Sequence, residues 1–200
     1  HLSCYGLIYE QGTPLRGRLD RGEIQRVDEE VEVAMYEWTI RRLAEAGYEQ
    51  YEISNWSRPG EACRHNLLYW HNKNWWALGP SASGHVNGWR WRNLPRLGRY
   101  LAGTGLSSIR DLERLDEDGR IGERFMMGLR CLSGLARDEV DAMLAGEGGT
   151  RRGPIMERHL AANLLQWSGD RLSLTHQGLL LANLVTADLL APGPGSGTDS

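Results

Sequence analysis

Apolar residues in the first half of the chain predict two strands separated by a helix. Segment 2–10, LSCYGLIYE, is rich in β-favouring residues and ends at the turn signal EQGTP. From Asp28 to Ala46, apolar residues recur every three or four positions, which is typical of an amphipathic helix. A second short strand, YEQYEIS, follows at 48–54. Strand, helix and strand predict one βαβ unit with parallel pairing.

A third predicted strand, WWALGPSAS at 75–83, leads into a loop of small residues. The first half therefore predicts the end of a parallel α/β barrel or sheet, in which chemistry gathers at the carboxyl ends of the strands. We expect Glu10, Ser54 and the loop Gly79–Gly84 at that edge, where small residues would let a ligand or another backbone approach closely. Glu52 is open to two interpretations: an inward-pointing polar barrel residue or the partner of an arginine.

The second half predicts mainly helices. Helical patterns cover 94–103, 108–115, 122–134 and 136–146, and Pro154 opens a further helix, PIMERHLAANLLQW. Gly169-Asp170 forms a turn before a short strand, RLSLT, and Thr175 caps a final helix that ends at Leu190. Helices with one small β element predict a winged-helix-like module. We therefore divide the chain into domains 1–108 and 109–190, followed by a tail, 191–200, whose Gly, Pro and Ser content predicts disorder.

Composition narrows the function classes. A net charge of −3 gives no general attraction to nucleic acid, and segment 151–190 carries four arginines against three acidic residues, too few for a DNA-binding surface. No apolar run is long enough to span or insert stably in a membrane. The three cysteines, Cys4, Cys63 and Cys131, are far apart, which favours a reducing cytoplasm and excludes an iron–sulfur cluster built from them alone. Because the chain opens on His1 in mid-strand, we expect it to be a fragment.

One stretch, CRHNLLYWHNKNWWALGPSASGH at 63–85, combines three histidines with three tryptophans. If it begins as a helix, His65 and Tyr69 lie on one face, with Asn66 and Trp70 on the neighbouring one. An imidazole beside an aromatic wall would suit a planar ligand such as a porphyrin, because a neutral imidazole is a normal axial ligand of haem iron. The alternative is structural: His65 and Asn66 would fix the entering chain.

The other two histidines of this stretch are weaker candidates. His71 follows in a polar turn, HNKN, and is expected to be a solvated loop residue. His85 lies past the small-residue loop and could face either way. Neither forms a zinc-type spacing with His65.

Three segments, HLSCYGLIYEQGTPL, AGYEQYEISNWSRPGEACRHNLLYW and LGPSASG, occur in the order and spacing found in radical SAM haem chaperones of the HemW type. These proteins are relatives of oxygen-independent coproporphyrinogen dehydrogenase, an enzyme of porphyrin biosynthesis. GERFMMGLRCLSGL and DRLSLTHQGLLLANLVTADLL resemble the family's C-terminal domain. The resemblance extends from His1 to about Leu190, and H-N-x-x-Y-W is its most specific element. It implies an α/β fold: a partial TIM-like radical SAM barrel followed by a small, mainly helical domain.

The resemblance also implies a function and a site. Such proteins are expected to bind haem and transfer it to an acceptor protein, with His65 as the candidate ligand and Asn66, Tyr69 and Trp70 supporting it. In the full-length protein, a [4Fe-4S] cluster on a CxxxCxxC loop would bind S-adenosylmethionine, and similarity places Ile8 and Ser83 near that cofactor.

The chain departs from the family pattern in two ways. The cluster motif is absent, so the chain corresponds to the C-terminal half of a member and could not by itself cleave S-adenosylmethionine. Many members read G-P-G-A-H-S where this chain has Gly79–Gly84, so Ser83 replaces a histidine whose role would be absent here or would pass to His85. The alternative function is radical oxidative decarboxylation of coproporphyrinogen.

Overall fold

The computed structural model describes residues 1–103 and 108–190, apart from the side chains of 147 and 148. Within this part the chain forms two compact units, His1–Cys63 (unit 1) and the residues from Arg64 onward (unit 2). The division falls inside the predicted first domain, 1–108. The predicted tail, 191–200, lies outside the described residues. None of the described helices is both long and apolar enough to cross a membrane.

Unit 1 contains a three-stranded sheet and two helices. Its elements are β1 (Leu2–Ser3), α1 (Pro14–Asp20), α2 (Glu29–Glu45), β2 (Glu49–Glu52) and β3 (Asn55–Ser57). Helix α2 matches the predicted helix, with Asp28 and Ala46 as its caps. The first strand is much shorter than predicted.

The predicted parallel pairing in unit 1 is wrong. The strand order is β1-β3-β2, and β3 pairs antiparallel with both neighbours. The chain reverses at Ile53–Ser54 and inserts β3 between the two strands that flank the helix. All three residues of β3 are buried, Trp56 completely. Since β1 ends at Ser3, Glu10 does not lie at the end of a strand.

Glu52 is an inward-pointing residue, as one of the two interpretations predicted. Its side chain is fully buried and accepts hydrogen bonds from the Ser54 N–H, at 3.0 Å, and from the Asn55 amide. Asn55 in turn accepts a hydrogen bond from the Ser3 hydroxyl. This network joins all three strands, because it links β1 and β3 to the last residue of β2.

Unit 2 opens with α3 (Arg64–Trp70), followed by the hairpin β4 (Ser83–Val86) and β5 (Trp89–Asn93), then α4 (Leu97–Ala102) and β6 (Ile109–Arg114). The three strands form an antiparallel sheet in the order β4-β5-β6. The hairpin turn is Asn87-Gly88, and both residues have positive φ, +51° and +80°. Asn-Gly is the usual sequence of such a two-residue turn.

Two predictions for this sheet are wrong. Segment 75–83 is not a strand: only Trp75 makes a bridge, to His85, and the strand begins at Ser83. Segment 108–115 is strand β6 rather than a helix, because pairing with β5 overrides its helical pattern. A cross-strand ion pair between Arg90 and Glu113, at 2.9 Å, supports this pairing.

The rest of unit 2 packs helices onto a second small sheet. Its elements are α5 (Glu117–Gly128), β7 (Leu135–Ala136), α6 (Arg137–Leu144), α7 (Glu147–Ala161), β8 (Leu165–Ser168), β9 (Arg171–Leu174), α8 (His176–Leu180) and α9 (Ala182–Leu190). The sheet order is β7-β9-β8, all antiparallel. The core consists of apolar side chains that are almost completely inaccessible: Phe125, Leu129, Leu135, Val140, Leu165, Leu172, Val185 and Leu189.

The predicted elements of this region hold with changes in their bounds. The helix predicted from Pro154 to Trp167 ends at Ala161, and Leu165–Ser168 form strand β8 instead. Helix α5 ends at Gly128 rather than at Gly134. Helix α7 begins at Glu147, so Pro154 lies inside it instead of opening it. The final predicted helix is divided into α8 and α9. Thr175 caps α8 as predicted, accepting a hydrogen bond from the Gly178 N–H at 2.9 Å.

A buried arginine links three helices of this core through hydrogen bonds and an ion pair. Arg152 on α7 is fully buried and forms an ion pair with Asp118 on α5. It also donates to the carbonyls of Leu189 and Leu190 at the end of α9, at 2.8 and 3.1 Å. A buried charge requires such partners, because desolvation is costly without them. The Arg152 guanidinium holds the pKa of Asp118 below its usual range.

Candidate functional site

The H-N-x-x-Y-W segment forms helix α3, which is the case in which the sequence brings His65 and Tyr69 to one face. His65 and Tyr69, four residues apart, face the same side, and the Tyr69 hydroxyl lies 2.7 Å from Nε2 of His65. Their ring centroids are 4.9 Å apart in an edge-to-face arrangement. The His65 side chain is exposed, so this pair lies at the surface rather than sealed in the core.

The aromatic wall extends beyond the motif. The Tyr69 ring packs edge-to-face on Trp75, with centroids 4.7 Å apart, and Trp75 packs on His85 at the same distance. We call His65, Tyr69, Trp75 and His85 the ring cluster. It joins α3 to the hairpin β4–β5, so residues twenty positions apart form one row of rings.

The far end of the ring cluster is fixed by hydrogen bonds to the backbone. Trp75 and His85 exchange backbone hydrogen bonds of 2.8 and 3.0 Å, and the Trp75 indole N–H donates to the Ser83 carbonyl at 3.1 Å. His85 is buried, and its Nδ1 lies 2.9 Å from the Lys73 carbonyl. Because a carbonyl only accepts, Nδ1 of His85 carries a proton.

The other face of α3 is anchored to helix α5 of the same unit and to the residues just after it. Arg130 stacks on the Trp70 indole, 4.7 Å from the ring centroid, and Arg124 donates to the Trp70 carbonyl at 2.9 Å. Asn72, just past the helix, donates to Glu123 at 3.0 Å. Cationic side chains at a helix C-terminus satisfy its free carbonyls and favour its dipole. Trp70 is therefore an anchor of α3, while Asn66 is half-buried on the neighbouring face.

His71 belongs to this anchored side. It is half-buried rather than a fully solvated loop residue. Burial, and secondarily the positive charge of Arg124, lowers its pKa below the usual value. The neutral imidazole is therefore favoured at His71. Its position on the anchored side separates it from the exposed face that carries His65.

At Gly84, the last residue of the small-residue loop, the space is taken by a side chain rather than by a ligand. A Cβ at Gly84 would overlap the Trp91 indole, so the space at this glycine is occupied by a tryptophan of the neighbouring strand. Asn93 is buried and donates to the carbonyls of Ala77 and Gly79, at 3.0 and 2.9 Å. These contacts fix the loop from inside the protein. Gly84 accordingly serves packing between two strands.

The two predicted S-adenosylmethionine contacts lie in different units. Ile8 is in a loop of unit 1 and its side chain is 74% exposed. Ser83 begins β4 in unit 2, where its carbonyl accepts the Trp75 indole bond described above. Their assignment stays a prediction. The sequence pattern missed Trp75, Arg124 and Asn93 as residues that build the site, although Asn87-Gly88 signalled the hairpin that carries His85.

No protein-family model matches the chain. Among curated proteins it is 40% identical to the haem chaperone HemW of Mycobacterium tuberculosis over 193 residues, 95% of this chain and 47% of that protein. The haem chaperones HemW of Bacillus subtilis and Lactococcus lactis are 32% and 30% identical, each over 92% of this chain and 49% of the relative. The chain is homologous to these HemW proteins over most of its own length. It spans about half the length of the curated HemW relatives it matches.

The fold is similar to that of a solved radical SAM enzyme. Coproporphyrinogen III oxidase (HemN) from Escherichia coli superposes with a TM-score of 0.58 over 76% of this chain and 39% of the enzyme, at 15% sequence identity. The α/β content with small sheets is thus shared with HemN. At this identity the similarity concerns the fold alone.

Proposed function

We propose that the protein is the C-terminal part of a cytoplasmic radical SAM haem chaperone that binds haem on the ring cluster and transfers it to an acceptor protein. The observation that carries this proposal is the exposed His65–Tyr69 pair on α3, backed by Trp75 and His85. In this arrangement, two side chains that can ligate iron lie beside a row of flat rings on which a porphyrin can stack. In this proposal Asn66 and Trp70 support the site from the neighbouring face of α3.

The HemW relatives favour haem transfer over decarboxylation of coproporphyrinogen. The three relatives described above are each named haem chaperones, whereas the similarity to HemN extends to the fold alone. The three-stranded sheet β7-β9-β8 with its flanking helices is the winged-helix-like module in this proposal. We assign it a packing role, because Arg124 and Glu123 of α5 hold the C-terminal end of α3.

The cysteines of this chain do not fit an iron–sulfur cluster. Cys4 and Cys63 lie in unit 1, and Cys131 is buried in unit 2. Among residues 1–103 and 108–190, no three His, Cys, Asp or Glu side chains converge as metal ligands. The [4Fe-4S] cluster and the S-adenosylmethionine that it would bind are therefore assigned to the full-length protein.

A titration of ferric haem into the 200-residue chain tests the proposal. We expect a Soret shift, and a dissociation constant raised about tenfold by His65→Ala, which corresponds to about 1.4 kcal/mol. His71→Ala is the matched control, because His71 closely follows α3 but lies on the anchored side; we expect a change below about twofold, within the range of a neutral substitution. Equal losses in the two variants, or no Soret shift in the unsubstituted chain, would contradict the proposal.

A further inference from the structure

Positive charge is concentrated in the segment that carries the ring cluster. Although the whole chain has a net charge of −3, residues 62–110 contain no Asp or Glu and seven basic residues: Arg64, Lys73, Arg90, Arg92, Arg96, Arg99 and Arg110. Such a separation of charge attracts anions to this segment. Two of its arginines are neighbours on the sheet that carries His85.

Arg92 and Arg110 occupy directly opposite positions on β5 and β6. Arg92 is also the cross-strand partner of Ser83 on β4. These three residues therefore cross the sheet in one row, and we call them the basic row. Directly opposite residues point to the same face of a sheet, and like charges in such positions are destabilising. An anion between the two guanidinium groups would remove this repulsion.

The charges of the basic row are poorly compensated by the rest of the fold. Arg92 is exposed, and it takes part in none of the ion pairs formed within residues 1–103 and 108–190. Arg110 pairs with its neighbour Asp111 at 3.3 Å, where both side chains are largely exposed and the pair contributes little. Arg90, on the same face, is by contrast neutralised by two glutamates. The basic row thus keeps donors for a ligand.

The basic row borders the ring cluster. Because successive residues of a strand alternate between faces, Ser83 and His85 lie on the same face of β4, about 7 Å apart along the strand. The Ser83 carbonyl accepts the indole N–H of Trp75 at 3.1 Å, which connects the two groups of residues directly. A flat ligand that stacks on the ring cluster therefore has two guanidinium groups along one of its edges.

We propose that Arg92 and Arg110 bind the two propionate groups of haem while the macrocycle stacks on the ring cluster. This inference rests on the proposed haem-binding function and specifies what the site recognises, a flat tetrapyrrole with carboxylates on one edge. The planar fork of a guanidinium matches a carboxylate with two parallel hydrogen bonds. S-adenosylmethionine, which the resemblance places near Ser83, fits the row less well, because two arginines would repel its ammonium and sulfonium groups.

Parallel Soret titrations with ferric protoporphyrin IX and with its diamide, in which both propionates are neutral primary amides, test the assignment. We expect the unsubstituted 200-residue chain to bind the diamide about tenfold more weakly. Arg92→Gln should weaken haem binding about fivefold through the loss of charge-assisted hydrogen bonds, yet change binding of the diamide less than about twofold. Joint substitution of Arg92 and Arg110 by Gln should bring the two ligands to nearly equal affinity.

Arg99→Gln is the matched control, because it removes the same charge from the same segment but from α4 rather than from the basic row. We expect it to change the affinity for either ligand less than about twofold, since 0.15 M salt screens long-range attraction between exposed charges. Without a ligand, Arg92→Gln should melt at the same temperature as the unsubstituted chain or at a higher one, because a like-charge contact is relieved. A lower melting temperature would mean that Arg92 has a stabilising partner within the fold, and would overturn the inference.

The outcomes separate this inference from the proposed function. Equal affinities of the unsubstituted chain for haem and for the diamide, with binding still weakened by His65→Ala, would overturn propionate recognition and leave haem binding in place. Displacement of haem by S-adenosylmethionine from the unsubstituted chain, but not from Arg92→Gln, would assign the basic row to that cofactor instead. The absence of a Soret shift with either porphyrin would overturn both proposals.

Discussion

Apolar residues at the same helical spacing are buried in unit 2 but exposed in unit 1. In unit 2, Ile121, Phe125 and Leu129 recur every four residues at α5, and all three side chains are buried. In unit 1, Val31, Met35 and Trp38 recur with nearly the same spacing along α2, but their side chains are 47, 50 and 60% exposed. The periodicity predicted that both helices exist, although α5 ends at Gly128 rather than at Gly134. It did not predict whether the described part of the chain covers the apolar face.

Helix α2 contacts its sheet through a different residue, Tyr36. Tyr36 packs on the buried Trp56 with ring centroids 6.4 Å apart. Its hydroxyl donates to the Ile53 carbonyl at 2.9 Å. A polar aromatic side chain thus attaches α2 to its sheet, whereas α5 is attached by aliphatic and phenyl groups within a continuous core. The comparison predicts that the same kind of substitution has very different effects in the two units.

The largest effect is expected in unit 2. Phe125→Ala removes a completely buried ring and leaves a cavity, which should lower the free energy of unfolding by about 3–5 kcal/mol. Amide hydrogen exchange at Leu172 and Val185, both in the same core, measures the loss. A change below about 1 kcal/mol would mean that α5 is not central to this core.

The smallest effect is expected in unit 1. Met35→Gln replaces a half-exposed apolar side chain with a polar one of similar helix propensity. We expect the stability of α2, followed by hydrogen exchange of its amides, to change by no more than about 0.5 kcal/mol. A loss comparable to that of Phe125→Ala would show that this face is buried in solution, and the contrast between the units would fail.

The sequence correctly predicted the elements whose signals lie within or next to the element itself. The bounds of α2 follow from the start of its apolar period and from its acidic first turn. The cap at Thr175 follows from the hydroxyl preceding a helix. What the sequence could not supply was pairing between distant segments. Strand β6 has a helical pattern and exposed side chains throughout, so only its partner β5 makes it a strand.

The candidate site, like the fold, was predictable only where its residues are close together in the sequence. The i, i+4 spacing correctly brought His65 and Tyr69 together on one face of α3 and turned Trp70 away. Trp75 entered the site only through the fold, and its bridge to His85 sets the last two rings in place, whereas the sequence left the direction of His85 open. The prediction of space for a ligand failed at Gly84 for a related reason. The tryptophan that fills the space at Gly84 comes from another strand.

We expect a flat ligand to bind against the ring cluster. Nuclear magnetic resonance of the 200-residue chain with gallium(III) protoporphyrin, a diamagnetic analogue of ferric haem, locates the ligand residue by residue. We expect the largest ring-current shifts on Tyr69, Trp75 and His65, while α9 is unaffected. Shifts concentrated in another part of the chain, with His65 and Tyr69 unchanged, would contradict it.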